Sequence, residues 1–427
     1  MNKLKTITLC IVFMLLLSLV FNNYVAVYYD YWFRSHESSF FAYVPAVVAV
    51  FLPLWFNYYL NNPSDFLCWV YYVLVVLPTA VLTPQLGLPL DAVYTAGLIV
   101  IVANIFILLA GKVNVVYAER GMRLLSWRWF SIIFMALGLG AVVLIMGSYK
   151  LNIDELMSLK IFVDTYEIRS DFRDAKADGL VVYAVFWAAK IIFPGIIAYG
   201  LCYRKRWYVW VGVALQLVLF SVSVHKSFLF SIILIFFVYF LIGKNISFKA
   251  WMACATSFVG FSLFAFHVLS LNLFVDVFVR RAFAVPGILS GWWVQFFSEN
   301  PYAWFAGGAL GGLFGGKDQV PAAFRIGDFY LDNSWTSANV NFAIDAFGNG
   351  GMVFVLLACA IVFVSLTIIN SAARLGKRER IFFICISVPL FWTLVETSLI
   401  TAMITHGLFI LLALALAWRA PRPERLA

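Results

Sequence analysis

Charge is what this sequence lacks. Asp, Glu, Lys and Arg make up only 12% of its 427 residues, about half of what a soluble domain carries. Hydrophobic residues make up 64%, and mean hydropathy is +0.94, which excludes a soluble fold. Reactive and metal-binding residues are also sparse. The four histidines (His36, His225, His267, His406) are scattered without the spacing of metal ligands. The six cysteines (Cys10, Cys68, Cys202, Cys254, Cys359, Cys385) lie in or at the ends of apolar runs, and there is no CxxC. Neither a disulfide framework nor a structural metal is expected. No DxD sequence occurs, so a metal-held nucleotide sugar has no visible ligands. The run 311–317 reads GGLFGGK, but Asp318 follows where a phosphate loop needs Ser or Thr, and the run is not read as a nucleotide site. No internal repeat is visible, a mild argument against a secondary transporter.

What the sequence has in quantity is apolar runs of membrane-spanning length, at 6–23, 40–60, 66–82, 93–110, 129–147, 180–202, 208–223, 227–243, 250–272, 351–369, 381–397 and 401–418. Runs of this length predict helices, about twelve of them, rather than barrel strands. Lys3 and Lys5 precede the first run, which lacks a small-residue cleavage site, so it reads as a retained helix. An even number of spans puts both termini on one side. If that side is cytoplasmic, its loops collect most of the 30 lysines and arginines, and the other side collects most of the 21 acids. The net charge of +9 is then a topology signal, and no nucleic-acid partner is expected. The prediction is an all-α, polytopic protein forming one membrane domain over 1–427. It has a smaller outer loop at 148–179 and a large one at 273–350, where the functional groups are expected.

Several residues stand out against this background. Lys190 lies near the middle of its span, where a charge costs about 2.5–3.5 kcal/mol, so it should face a cavity or a partner. His225-Lys226 forms the outer turn between two spans, either a polar turn or an anion-binding lysine at the interface. Arg280-Arg281 follows a span on the side where cations are disfavoured. Arginine forks match phosphate oxygens, and the bland alternative is an interfacial anchor. The aromatics Trp292, Trp293, Phe296, Phe297, Tyr302, Trp304 and Phe305 suit a membrane-interface belt or a platform for sugar rings. Asn339, Asn341 and Asp345, in SANVNFAID before a late span, suit hydroxyl recognition or helix capping.

The order HKS, RRAFAVPGILSGWWVQFFSENP, IGDFY and SANVNFAIDAFGNGG resembles the bacterial O-antigen polymerases, the Wzy family. The resemblance covers roughly 220–360, and its glycine run at 307–316 is denser than in that family. It implies a multi-span glycosyltransferase in the bacterial inner membrane, without metal or cofactor, acting at the periplasmic face on undecaprenyl-pyrophosphate-linked oligosaccharides. A chain-length regulator and a flippase are the partners it implies, besides membrane lipids. Cations would hold the departing pyrophosphate: Arg280, Arg281 and Lys226, with Lys190 deeper and Arg169 or Arg173 closing the pocket. Asp345 is the first candidate base, then Glu299 and His225, with Asn339 and Asn341 orienting sugars.

Three rivals remain: an O-antigen ligase, a lipid-carrier glycosyltransferase with Asp30 as its catalytic acid, and a flippase or transporter.

Overall fold

The computed structural model describes residues 2–114, 125–149, 179–223, 225–308, 310–313 and 320–418. Those residues form an all-helical bundle with no strand. Among the described residues, nine helices are long and apolar enough to cross a membrane: α1 (Lys3–Tyr28), α3 (Pro63–Leu86), α4 (Leu90–Lys112), α5 (Trp127–Ser148), α6 (Val181–Cys202), α7 (Arg206–Ser223), α8 (Lys226–Gly243), α9 (Phe248–Leu269) and α12 (Phe342–Ala373). The other predicted runs fold as helix too. Residues 40–60 give the short α2 (Phe40–Leu54), and 381–397 falls in α13 (Lys377–Glu396). Run 401–418 is broken into α14 (Leu399–Met403) and α15 (Leu408–Ala417). The break has a local cause: Gly407 takes φ +86° at the N-terminus of α15, a left-handed conformation open to glycine.

Polar contacts sort the helix ends. The Arg374 guanidinium, just past α12, donates to Asn62 Oδ1 before α3 (2.9 Å) and to the Gly111 carbonyl in α4 (3.0 Å). Trp127 at the start of α5 donates to Glu379 in α13 (3.1 Å), and Leu125 N–H donates to the Ala417 carbonyl. These ends form one pole of the bundle. Tyr29, Gln85 and His225 lie at the opposite pole.

The stretch 273–350, expected as a loop, is largely helix and largely interior. Residues Phe274–Ala284 wind as a wide π-helical turn that continues as Val285–Glu299; together these form α10. Asp276 accepts from the Tyr29 hydroxyl at the end of α1 (2.5 Å). Phe283 meets Phe13, well inside α1, at 5.4 Å. A Cβ on Gly287 would lie 2.7 Å from the Pro78 carbonyl carbon in the middle of α3, and one on Gly291 would strike Thr83 and Leu88, near the far end of α3. The segment therefore dips into the bundle and leaves by the pole it entered. The aromatic cluster splits accordingly. Trp292, Trp293, Phe296 and Phe297 are core, Trp293 only 1% exposed, while Tyr302 and Trp304 are exposed. Packing against α3, α4 and α12, rather than an interface belt, accounts for the buried four.

A further helix, α11 (Ala322–Leu331), precedes a chain that re-enters the bundle and starts α12. Asn341 caps α12: its Oδ1 accepts from Ala343 and Ile344 N–H and from the Tyr71 hydroxyl (2.8 Å), and its amide donates to Ser290 (3.4 Å). Non-helical backbone at such depth is tolerated where protein buries it. One helical turn or two later α12 is interrupted at Gly350 and Gly351. Gly351 has φ +68°, and a Cβ there would meet the Tyr302 hydroxyl at 2.7 Å.

Candidate functional site

The dipping segment, the re-entering chain and the end of α13 enclose three adjoining spaces. The first is an apolar groove of ≈ 420 Å³ between α8, α10 and α13. Its walls include Phe230, Ile233, Phe237, Val277 and Phe278, all exposed, so it opens sideways where a bilayer would lie. Lys190, Arg281 and Glu396 line its head. The second is a polar chamber of ≈ 540 Å³ lined by the same three residues together with His225, His406 and Asn339. The third, of ≈ 370 Å³, shares Asn339, Val340 and Thr397 with the chamber and adds Asp345, Asn349, Tyr183, Ser398, Thr401 and Thr405. Together they lead from an apolar flank, past a charged neck, into a space lined by hydroxyls, amides and one carboxylate.

The charged neck has a clear electrostatic construction. Lys190 sits in a π-helical turn of α6 (Ala188–Ile192) and is 3% exposed. Its ammonium lies 5.8 Å from the Phe228 ring and within electrostatic reach of Glu396, without a closed ion pair among the described residues. A π turn inserts one extra residue per turn and often marks a functional position. The turn here leaves the ammonium facing the groove and chamber rather than a packed helix. Arg281 reaches the same neck from α10 and makes no hydrogen bond or ion pair among the described residues. Two cations against one carboxylate leave the neck net positive.

Asp345 lies one turn into α12. Asn349 donates to its Oδ2 (3.1 Å) and to its backbone carbonyl (2.9 Å), while Asn349 Oδ1 accepts from Phe305 N–H (2.7 Å). The carboxylate is thus held by one amide, with its other oxygen available to the third space. Asn339 faces both polar spaces, its Oδ1 accepting from Ser337 (3.1 Å). His225 lines the chamber with its ring 5.2 Å from Phe228.

The sequence-predicted residues therefore divide. Lys190, Arg281, His225, Asn339 and Asp345 are brought together. Lys226, the first residue of α8, is half-buried beside His225. Arg280 points elsewhere: its Nε donates to Asp276 Oδ1 at 2.7 Å and its guanidinium stacks on Tyr29 at 4.3 Å. Glu299 is exposed at the end of α10 and accepts from Gln295. Asn341 is spent on capping. Asp30 is exposed and lines none of the three spaces. Arg169 and Arg173 lie outside the described residues.

Two participants escaped the sequence reading. Glu396 is the last residue of α13, and its position at the end of an apolar run makes it look like an ordinary boundary acid. His406 lies in the break before α15, with its Nδ1 buried and lacking a hydrogen bond among the described residues. A carboxylate and an imidazole flanking a broken apolar run were the available signal.

No protein-family model, curated protein or solved structure matches this chain.

Proposed function

We propose that the chain is a multi-span glycosyltransferase that polymerises undecaprenyl-pyrophosphate-linked O-antigen repeat units at the periplasmic face of the bacterial inner membrane. In this reading it crosses the membrane about twelve times with both termini cytoplasmic, and the pole carrying the chamber is periplasmic. The observation that carries it is the sequence of environments in the site: an apolar lateral groove, then Lys190 and Arg281, then a chamber rich in hydroxyls and amides. A polyprenyl tail, a pyrophosphate and an oligosaccharide follow one another in the same order.

The chemistry follows from those positions. A hydroxyl of the incoming unit attacks the anomeric carbon of the growing chain. The new C–O bond forms as the bond from that carbon to the pyrophosphate oxygen breaks, and the electron pair leaves with the pyrophosphate. Lys190 and Arg281 stabilise that developing charge, which needs no metal. Glu396 holds the neck short of excess positive charge while the site is empty. Asp345 accepts the proton of the attacking hydroxyl, and Asn339 with the Thr397–Thr405 hydroxyls orients the sugars.

The test is the lipopolysaccharide ladder of a deletion strain complemented with variants, each normalised to the amount of folded protein. Deletion should collapse the ladder to a single repeat on lipid A core, and Asp345→Asn should fail to restore it. A deletion that instead leaves full-length polymer on its lipid carrier identifies a ligase. An unchanged ladder removes both readings.

A further inference from the structure

At the pole opposite the chamber lies a second polar cavity, of ≈ 540 Å³, where the ends of α3, α4, α12 and α13 converge. It is lined by Arg374, Lys377 and Arg380 and by the amides of Asn57, Asn61 and Asn114, and among the described residues no carboxylate lines it. We propose that this cavity is a binding site for a phosphate-bearing anion.

Three observations combine. First, three cations converge without an acid in the wall among the described residues. The nearest acids are committed elsewhere: Asp65 accepts from Asn57 Nδ2 (2.7 Å) and from the Asn61 and Asn62 N–H groups, and Glu379 accepts from Trp127. Second, the Arg374 guanidinium is fixed by Asn62 and by the Gly111 and Val113 carbonyls, which presents its charge to the cavity in one orientation. The Arg380 Nε, by contrast, is buried and has no acceptor among the described residues. A guanidinium donor left unmade is costly, and a turn of the Arg380 side chain toward an anion in the cavity would supply its acceptor. Third, the start of α13 at this cavity is already met by the Glu379 carboxylate, whose Oε2 lies against Gly376, so that acid is engaged at the helix terminus and the side-chain cations remain for an anion. Phosphate oxygens match this set of donors, and the volume admits a diphosphate or a lipid headgroup.

The same chemistry could be presented by a soluble phosphate compound or by an anionic phospholipid of the surrounding bilayer, where basic pockets between helices take headgroups. Two probes separate them, each read as a shift in the unfolding temperature of the full-length protein. One is inorganic pyrophosphate in neutral detergent. The other is reconstitution into phosphatidylcholine nanodiscs with or without phosphatidylglycerol. At least one probe should stabilise the wild type, and the responding probe identifies the source. Arg380→Gln should weaken that probe's apparent affinity by about tenfold or more, the loss expected for one charge-assisted hydrogen bond. Lys377→Gln, at an exposed position, should leave the fold intact and weaken it less. Arg281→Gln, at the other pole, should remove only the share of a pyrophosphate response that the neck contributes and leave the Arg380-dependent share in place. The proposal is overturned if neither probe shifts the wild type, or if the shift survives unaltered in both Lys377→Gln and Arg380→Gln.

Discussion

Arg280 and Arg281 are neighbours in the chain and belong to two different regions. Arg280 sits in a corner where Asp276 and Tyr29 satisfy it: an ion pair at 2.7 Å, a ring face at 4.3 Å, and Tyr29 itself donating to Asp276 at 2.5 Å. Arg281 sits in the neck between groove and chamber with no such partner among the described residues. One arginine has its acceptors supplied by the protein, so its charge serves the fold. The other has its donors left over, so its charge is available to a ligand. A helix-like turn sends adjacent side chains in different directions, and the wide Phe274–Ala284 turn makes that separation decide function.

The sharpest way to break this contrast is to neutralise each arginine in turn. Under the proposed function, Arg281→Gln should lower polymerisation by about 10²-fold or more, as removal of a transition-state donor does elsewhere, with little change in unfolding temperature. Arg280→Gln should do the reverse. It leaves Asp276 without its cation and should cost about 1–3 kcal/mol, read as a lower unfolding temperature, with turnover per folded molecule retained. Equal losses of turnover in both variants would erase the distinction.

The smallest effect concerns alkaline pH. Burial, and then the hydrogen bond to Asp276, push the Tyr29 phenol up to about 12. Its raised value means that the folded state keeps the proton after the unfolded chain has lost it. The corner's contribution is therefore complete below the unfolded value of 10.0 and is lost as pH climbs from there toward 12. Tyr29→Phe should flatten that alkaline decline in unfolding temperature and change little at neutral pH.

The contrast also shows what was readable in advance. Lys190 stood out because apolar residues flank it on both sides. Its burial at the neck accords with the cost of leaving such a charge in lipid. The all-helical architecture and the apolar stretches followed from run length. Arg280 and Arg281 could not be told apart, because their difference lies in Asp276 and Tyr29, and Tyr29 stands 247 residues before Asp276 in the chain. Asp345 is read ahead of Glu299 as the base, but charge alone does not separate them. What separates them is that one ends exposed beside Gln295 and the other faces the third space beside Asn349. The buried tryptophans of α10 misled for a similar reason: an aromatic-rich segment between spans has the same composition whether it floats at an interface or folds inward. Only the glycines hint at the outcome, since Gly287 and Gly291 have room for no Cβ.

That inward fold bears on how the protein is made. The Val285–Glu299 segment rests on α3 and α4, which precede it, but also on α12: Trp293 donates to the Ala338 carbonyl, and a Cβ on Gly348 would strike Trp293 and Phe297. During synthesis its first partners are already in the membrane, whereas its last partner is still unmade. These contacts can form only after residue 348 has emerged, so the candidate cavity is expected to close after its first helices are in place rather than as a step of span-by-span threading.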